Sequence, residues 1–248
     1  MYRFEFLGLM QRNVSKNDIR RGIRIPSEIS KDLAYLCGIF AGDGSINYRR
    51  KKNEYSLKVV GNPKDEQEFY HKIIGPKFEI VFGIFPRMKY HDSKTTYGFS
   101  VYSKAIYLFL INIIGLPSGV KYDTLRIPVI FLEDKHLTME FIRGVFDTDG
   151  SISFKKGSRK QNNYPSIDLT SKSPSFIREI AEFLKREEFA PSTLIDYIRK
   201  DTRLLHGFSM ASSVYLNGHN NLKLWNEKGG FCSPKHLEKI RKHEGIIN

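Results

Sequence analysis

Two nine-residue segments of the chain combine apolar residues, small residues and an acid in the same order. GIFAGDGSI covers residues 38–46, and GVFDTDGSI covers residues 144–152. The segments agree at six of nine positions, and the acid that they share is Asp43 in the first and Asp149 in the second. Carboxylate oxygens are the hard ligands that suit Mg²⁺. The shared acid, rather than Asp147, is therefore the candidate for metal chemistry.

Each shared acid stands at the C-terminal end of a predicted helix. Residues 30–43 and 138–149 are apolar, contain no proline and end at Asp-Gly, with Ser27 or Ser30 and Thr138 as predicted N-caps. A carboxylate at a helix C-terminus is disfavoured by roughly 0.3–1 kcal/mol, because the helix dipole is negative there. A bound divalent cation would reverse that effect. The alternative interpretation, an Asp-Gly that only stops a helix, does not explain why the acid is repeated.

Small residues recur on one face of both predicted helices. Gly38 and Gly42 lie one turn apart, and Gly144 and Thr148 repeat this spacing. Small side chains let two helix backbones approach closely, whereas Gly in a helix interior otherwise costs about 1 kcal/mol relative to Ala. The pattern predicts two helices that pack through their small faces, each bringing one Asp to a shared edge.

The repeat extends to the strands and helices around the two segments. Each half is predicted as helix, hairpin, helix, hairpin, helix, so the fold class is α+β, with two pseudo-symmetric αββαββα units and antiparallel sheets. The predicted hairpins pair 45–48 with 54–60, 78–90 with 96–102, 151–154 with 165–170, and 192–200 with 203–211. The predicted closing helices are 103–114 and 213–227. The predicted domains are an N-terminal extension (1–21), a first half (22–121) and a second half with a C-terminal tail (122–248).

The chain of 248 residues carries a net charge of +13. Such a field attracts polyanions, and nucleic acid is the leading partner. The basic residues recur at equivalent turns of both halves, which a charge serving only solubility would not require. The residues predicted to contact a DNA backbone are Arg49, Arg50, Lys51, Lys52, Lys58, Arg87, Lys89, Lys94, Lys155, Lys156, Arg159, Lys160, Arg199, Lys200 and Arg203. The polar residues predicted to reach base edges are Asn47, Tyr55, Gln161 and Asn163.

Several other classes of protein are excluded by the sequence. An EF-hand loop needs an acid at its first position and Gly at its sixth, and Ala41 and Ile152 break that pattern. The aspartic-protease loop needs Gly where Asp149 stands. His219 begins a faint HNH-like pattern that has no closing His. Two cysteines are too few for a disulfide framework or a zinc site. Without a signal peptide or an apolar run of about 18 residues, the expected setting is intracellular with no membrane contact.

The two segments and the residues around them resemble the LAGLIDADG homing endonucleases. Residues 36–44 and 142–150 fit the two nonapeptide motifs of that family. The approach IPSEISKDLAYL, which covers residues 25–36, also resembles the family's run into its first motif. The resemblance covers most of both halves.

The resemblance implies a monomer in which the motif helices pack at the centre and the two sheets form a saddle over double-stranded DNA. Asp43 and Asp149 would bind divalent metal together with the backbone carbonyls of Gly42 and Thr148. Mg²⁺ is the expected cation, with Mn²⁺ able to substitute and Ca²⁺ binding without cleavage. Each half would cleave one strand across the minor groove of a long, pseudo-palindromic or asymmetric target, leaving short 3′ overhangs.

The resemblance also implies one catalytic lysine per half. The sequence departs from the family pattern in two respects. GLPSGVK points to Lys121, and GGFCSPK points to Lys235. Ala41 replaces an acid that is common in the motif, away from the metal position. Gly61 and Ser171 stand where relatives often carry a polar side chain near the metals, so the surroundings of the two cations are not predicted.

Two other functions on the same scaffold stay open. One is an RNA-splicing maturase, which would bind intron RNA. The other is a DNA-binding protein that has lost cleavage, and the presence of both Asp43 and Asp149 argues against it. An intron-encoded enzyme is expected rather than an intein, because the sequence begins at Met1 without a nucleophilic Cys or Ser and ends without a penultimate His.

Overall fold

The computed structural model of the protein describes residues 14–122, 124–156, 162–202, 205 and 207–247. The predicted DNA contacts Arg159, Lys160, Gln161 and Arg203 lie outside these residues. In the described part of the chain, no helix is both long and apolar enough to cross a bilayer.

Helices and antiparallel strands alternate along the chain, as the predicted α+β class requires. The helices are α1 (Lys16–Arg20), α2 (Lys31–Ala41), α3 (Gln67–Phe69), α4 (Gly75–Phe82), α5 (Lys104–Leu108), α6 (Val129–Leu132), α7 (Lys135–Thr148), α8 (Pro174–Arg186), α9 (His219–Lys228) and α10 (Pro234–Ile247). The strands are β1 (Gly44–Arg49), β2 (Glu54–Gly61), β3 (Lys89–His91), β4 (Thr96–Tyr102), β5 (Gly150–Lys156), β6 (Asn162–Ser171), β7 (Pro191–Lys200) and β8 (Phe208–Asn217). Short π-helical turns cover Tyr70–Ile74 and Phe109–Ile114, and 3₁₀ turns cover Arg50–Lys52 and Asp92–Lys94.

The chain divides into two compact units. The first comprises the residues up to Val120 together with Pro128–Thr148, and the second comprises Lys121–Ile127 and the chain from Asp149 onward. Each unit contains a four-stranded antiparallel sheet, ordered β1-β2-β4-β3 in the first and β5-β6-β8-β7 in the second. The two sheets therefore share one topology, as the internal repeat predicted.

The prediction of a strand over 78–90 is wrong. Residues up to Phe82 continue helix α4, and only Lys89–His91 form a strand. The apolar run FEIVF fits both a strand and a helix by length, but the rings of Phe78 and Phe82 pack one helical turn apart with centroids at 4.8 Å. Gly83 ends the helix in the left-handed conformation, with a φ of 82°.

Two other predicted boundaries are corrected. Residues 213–217 belong to strand β8, so the helix predicted over 213–227 begins only at His219. Thr138 lies inside α7 and not at its N-cap, and its hydroxyl donates to the carbonyl of Phe131 at 2.7 Å. The other predicted cap is confirmed, because the Ser30 hydroxyl accepts a hydrogen bond from the amide of Leu33 at 3.1 Å.

One face of each sheet is packed against helices and forms the core of its unit. In the first unit this face carries buried Ile46, Leu57, Val59, Phe99 and Val101. In the second it carries buried Ile152, Ile167, Leu169, Val214 and Leu216. Because side chains alternate along a strand, the residues between these positions point to the opposite face.

Helices α2 and α7 pack against each other within the first unit through two glycines. A Cβ atom added to Gly38 would overlap the carbonyl oxygen of Phe141 and lie 2.9 Å from the Cα of Gly144. A Cβ added to Gly144 would overlap the carbonyl oxygen of Tyr35 and lie 3.1 Å from the Cα of Gly38. The predicted packing through small residues is therefore confirmed at Gly38 and Gly144.

Gly38→Ala and Gly144→Ala should each lower the free energy of unfolding by about 1–3 kcal/mol, because the added methyl overlaps backbone that cannot move independently. The direction of the change in the free energy of unfolding is the test, since Ala at an unconstrained helical position stabilises by up to about 1 kcal/mol relative to Gly. Chemical denaturation of each variant would measure the change, and an unchanged or raised midpoint would contradict the close contact.

Candidate functional site

The two motif helices end close to the point where they cross. Helix α2 ends at Ala41, and the Gly42 amide still donates to the carbonyl of Gly38 at 3.0 Å. Helix α7 ends at Thr148, whose hydroxyl donates to the carbonyl of Gly144 at 3.1 Å. Gly42 and Thr148 are each four residues beyond the glycine of the crossing, which is about 6 Å along a helix axis. Both helix ends therefore lie within about one turn of the contact.

Beside this contact, Asp147 makes a buried hydrogen bond between the two helices. The Asp147 side chain is 0% exposed, and its Oδ2 accepts a hydrogen bond from the Tyr35 hydroxyl at 2.7 Å. Lys77 Nζ lies 5.1 Å from the centroid of the Tyr35 ring and pairs with Asp32. The acid that only one segment carries thus joins the helices, a role that comparison of the segments did not reveal because Ala41 occupies the position in α2.

The two shared acids both lie between a motif helix and the following strand. Asp43 is half-buried and immediately precedes β1, and Asp149 is exposed and immediately precedes β5. Burial raises the pKa of the Tyr70 hydroxyl, and the charges of Asp43 and Glu66 raise that pKa further. The negative charges of Asp43 and Glu66 therefore both act on the Tyr70 hydroxyl.

The motif residues at these two helix ends supply oxygen donors. They are a carboxylate in Asp43 or Asp149 and the carbonyl that precedes it in Gly42 or Thr148. Carboxylate and carbonyl oxygens are the donors preferred by Mg²⁺ and Ca²⁺, and the negative end of a helix dipole also favours a cation. The donor set fits a hard divalent cation.

The two predicted catalytic lysines are both half-buried and both belong to the second unit. The carbonyl of Lys121 accepts a hydrogen bond from the amide of Leu125 at 3.0 Å, which fixes its backbone in a turn. Lys235 lies in the first turn of α10. Their role in catalysis stays a prediction.

In the first unit, many predicted DNA contacts share the sheet face opposite the core. Asn47 is paired with Ser56, and Lys58 with Ser100, at positions that alternate with the buried ones. Further basic residues on or beside this sheet are Arg49, Arg87, Lys89, Lys94 and the turn residues Arg50, Lys51 and Lys52, all of them exposed. This face therefore offers polar side chains bordered by positive charge.

Two of these basic side chains form ion pairs within the first unit. Lys58 Nζ lies 2.8 Å from Asp92 Oδ2, and Arg49 Nη1 lies 3.2 Å from Glu54 Oε1. The hydrogen bond from Lys58 is the largest of the effects that lower the pKa of Asp92. A phosphate would have to compete with a carboxylate for each of these two residues.

In the second unit, the predicted contacts are divided between the two faces of the sheet. Lys155 Nζ donates to Ser166 Oγ at 3.2 Å on the face opposite the core, and Arg199 pairs with Ser209 on that same face. Lys200 is paired with Phe208, so by alternation it points to the other face. Lys156 is exposed at the end of β5.

Two residues predicted to contact bases occupy different environments from Asn47. Tyr55 alternates with the core position Leu57, and its ring stacks on Tyr48 with centroids 4.4 Å apart. Asn163 is the extra residue of a β-bulge, because Lys155 pairs with Tyr164 and Lys156 with Asn162. Strand alternation therefore does not place Tyr55 beside Asn47, and base contacts by Tyr55 and Asn163 stay predictions.

A basic groove in the first unit was not predicted from the sequence. It has a volume of about 720 Å³ and lies between α1 and the turn that joins β1 to β2. Its lining includes Arg20, Arg21, Lys52 and Lys104. Lys52 belongs to the basic run of the first hairpin and Arg20 and Arg21 are adjacent in the sequence, but only the fold brings these residues and Lys104 to one groove.

Similarity to known proteins agrees with this arrangement. Residues 137–228 match the family model of the LAGLIDADG-like domain. The chain is 29% identical over 168 residues to a DNA polymerase of Thermococcus hydrothermalis, a match that covers 67% of this chain and 9% of the polymerase. Across six curated relatives, the match spans between 8% and 62% of the relative's length.

Solved structures with the same fold include two homing endonucleases in complex with DNA. I-DmoI in complex with DNA and Ca has a TM-score of 0.56 and 15% identity, and the similarity covers 85% of this chain and 97% of that one. I-WcaI bound to its DNA recognition sequence has a TM-score of 0.55 and 16% identity, and the similarity covers 96% of both chains. The fold of this chain is therefore that of the LAGLIDADG homing endonucleases.

Tyr35→Phe should lower the free energy of unfolding by about 1.5–3 kcal/mol, because it removes the hydroxyl that satisfies the buried Asp147 carboxylate. Thermal and chemical unfolding would measure the loss. Tyr122→Phe is the matched control, since Tyr122 is exposed and keeps its ring contact with Lys172. Equal stability of the two variants would show that the bond between Tyr35 and Asp147 does not stabilise the helix pair.

Proposed function

We propose that this chain is a site-specific endonuclease that hydrolyses one phosphodiester in each strand of double-stranded DNA. The observation that carries the proposal is the pair of Asp-Gly helix ends, each one turn beyond the glycine contact of α2 and α7. The similar structures are homing endonucleases bound to target DNA, which supports DNA as the substrate of this fold.

In the proposed mechanism, Asp43 and Asp149 are the metal-binding carboxylates, one for each strand. The carbonyls of Gly42 and Thr148 complete the donor set supplied by the protein. A bound divalent cation would activate water and neutralise charge on the attacking and leaving oxygens. Mg²⁺ is the proposed cation, and structures of the similar enzyme I-DmoI are described with Ca, Mn and Mg.

Lys121 and Lys235 are proposed to stabilise negative charge that develops on the phosphate in the transition state. An ammonium aimed at such a charge in a partly desolvated site is worth far more than in water. Both side chains are half-buried, which is consistent with this role. No histidine is required in the mechanism.

The polar faces of the two sheets are proposed to bind the DNA target. Lysine and arginine at the turns would contact phosphates, and strand residues such as Asn47 would reach base edges. Distributed contacts of this kind are typical of a protein that reads a long site. We propose that the chain acts as a monomer in intron homing, and the alternative of an RNA-splicing maturase would require tighter binding of intron RNA than of duplex DNA.

The nuclease proposal is tested with Asp43→Asn and Asp149→Asn. Each substitution should slow double-strand cleavage by at least about 100-fold, as expected when one organised electrostatic group is removed from an active site. Affinity for the DNA target should be unchanged or higher, because one negative charge is removed. The candidate target is the sequence formed by joining the DNA that flanks the reading frame, and a plasmid library with randomised inserts is the second source.

The cleavage assay needs Mg²⁺ with an EDTA control, and Asp65→Asn as a control for the removal of one exposed acid. Unchanged cleavage by either motif variant would contradict the assignment of that residue. Absence of cleavage by the unmodified protein on both DNA sources, combined with tight binding of intron RNA, would favour the maturase.

The proposed phosphate contacts are tested by replacing Arg50, Lys51 and Lys52 with Gln together. DNA affinity should fall, and the slope of log K against log salt should become shallower by about 0.9 for each phosphate that the variant no longer neutralises. Lys72, Lys185 and Lys223, which lie on helices, replaced together with Gln form the control of equal charge. Identical salt slopes for the two triple variants would show that the turn of the first hairpin does not contact the backbone.

A further inference from the structure

Strand β2 ends at Gly61, which has no side chain. The carboxylate of Glu66 fills the space that a side chain at this position would occupy. A Cβ atom added to Gly61 would overlap Oε2 of Glu66 and lie 3.2 Å from the hydroxyl oxygen of Tyr70. The volume that a side chain at position 61 would take is therefore occupied by the Glu66 carboxylate.

Glu66 is held firmly in this place. It immediately precedes α3, its side chain is 6% exposed, and its Oε2 accepts a hydrogen bond from the amide of Asn62 at 2.8 Å. Tyr70, whose hydroxyl lies beside the same space, is also buried. A carboxylate is seldom buried to this extent unless it has a partner or a function.

The register of β1 and β2 relates the Glu66 carboxylate to Asp43. Gly44 pairs with Val59 at one end of the antiparallel ladder of β1 and β2, and Asp43 immediately precedes Gly44. Gly61, whose side-chain volume Glu66 fills, follows Val59 by two residues and so lies at the same end of this ladder as Asp43. The electrostatic effect of both Asp43 and Glu66 on the Tyr70 hydroxyl, whose pKa they raise, is consistent with this placement.

The second unit has no acid in the corresponding segment. Gly150 pairs with Leu169, as Gly44 pairs with Val59, so Ser171 stands where Gly61 stands in the first unit. The Ser171 hydroxyl accepts a hydrogen bond from the amide of Ser173 at 3.1 Å. The five residues that follow Ser171 are Lys, Ser, Pro, Ser and Phe. The segment that follows the second strand therefore contains acids in the first unit and none in the second.

We propose that Glu66 is a positioning residue for Asp43: its carboxylate fills the volume of the missing side chain at position 61 and favours the cation-bound state of Asp43. The inference rests on the metal-dependent cleavage proposed above. Two neighbouring negative charges repel each other, and a divalent cation between or beside them reverses that repulsion. Cation binding at Asp43 is then stronger than an isolated carboxylate would give, and the two strands are cut at different rates.

Glu66→Gln tests the proposal, because the amide oxygen of Gln can still accept the hydrogen bond from Asn62 while the charge is removed. The first measurement is the rise in melting temperature that Ca²⁺ causes in the protein without DNA, which should fall to less than half. The second is the nicking rate of each strand of the target with Mg²⁺, where one strand should slow by about 10-fold relative to the other. Asp65→Asn, which removes a neighbouring exposed acid, should leave both measurements unchanged.

A swap of positions separates charge from local structure. Glu66→Ala should show the same defects as Glu66→Gln, and Glu66→Ala combined with Gly61→Asp should restore both measurements. The restored variant places a carboxylate in the same volume from β2 but leaves the Asn62 amide without its Glu66 acceptor. A purely structural role for Glu66 would not be rescued in this way.

Each outcome decides either this inference or the proposed function. Behaviour of Glu66→Gln that matches Asp65→Asn in both measurements would overturn the role of Glu66 while leaving the nuclease proposal intact. Absence of any Ca²⁺-dependent stabilisation of the unmodified protein would also overturn it. Absence of cleavage by the unmodified protein, with a Ca²⁺ response that depends on Glu66, would overturn the nuclease proposal and retain cation binding assisted by Glu66.

Discussion

The contact between the backbones of Gly38 and Gly144 is the constraint on which the first unit depends. No other residue type fits at either position, since a single methyl group would overlap a carbonyl oxygen of the facing helix. The contact brings α2 and α7 close enough for Tyr35 to reach Asp147. It also places both helix ends near the crossing, because only one further turn separates each glycine from its helix terminus. Any chemistry at the Asp-Gly ends therefore depends on a contact between two glycine backbones.

The glycine contact and the strand order, which rest on features present in both halves, could be predicted from the sequence, whereas two contacts that occur once could not. The glycine faces, the Asp-Gly ends and the first hairpins appear in both halves, so each copy supported the interpretation of the other. Asp147 has Ala41 as its counterpart, and its hydrogen bond to Tyr35 depends on packing between distant segments. Glu66 likewise gains its position only when β2 and α3 are folded, because the signal is a missing side chain at Gly61.

The sequence pattern also gives a wrong prediction where one apolar run fits either a strand or a helix. FEIVF can be placed in a strand or a helix, and only the packing of Phe78 on Phe82 decides for the helix. Tyr55 was grouped with polar strand residues by its type, yet alternation from Leu57 places it on the packed side of the sheet. Composition of a strand indicates that a surface binds polyanions, but the register decides which side chains belong to that surface.

The symmetry of the two halves is one of topology and not of electrostatics. The two sheets have the same strand order, and both shared acids follow a motif helix. Asp43, however, is half-buried and Lys58 is paired with Ser45 two residues later, whereas Asp149 is exposed and Asp168 is paired with Ser151 two residues later. A cation bound by Asp43 would be less exposed to solvent, and charge interactions are stronger in such a place than at the protein surface. The two sheets therefore have the same strand order, but the acids that precede them, Asp43 and Asp149, lie in different environments.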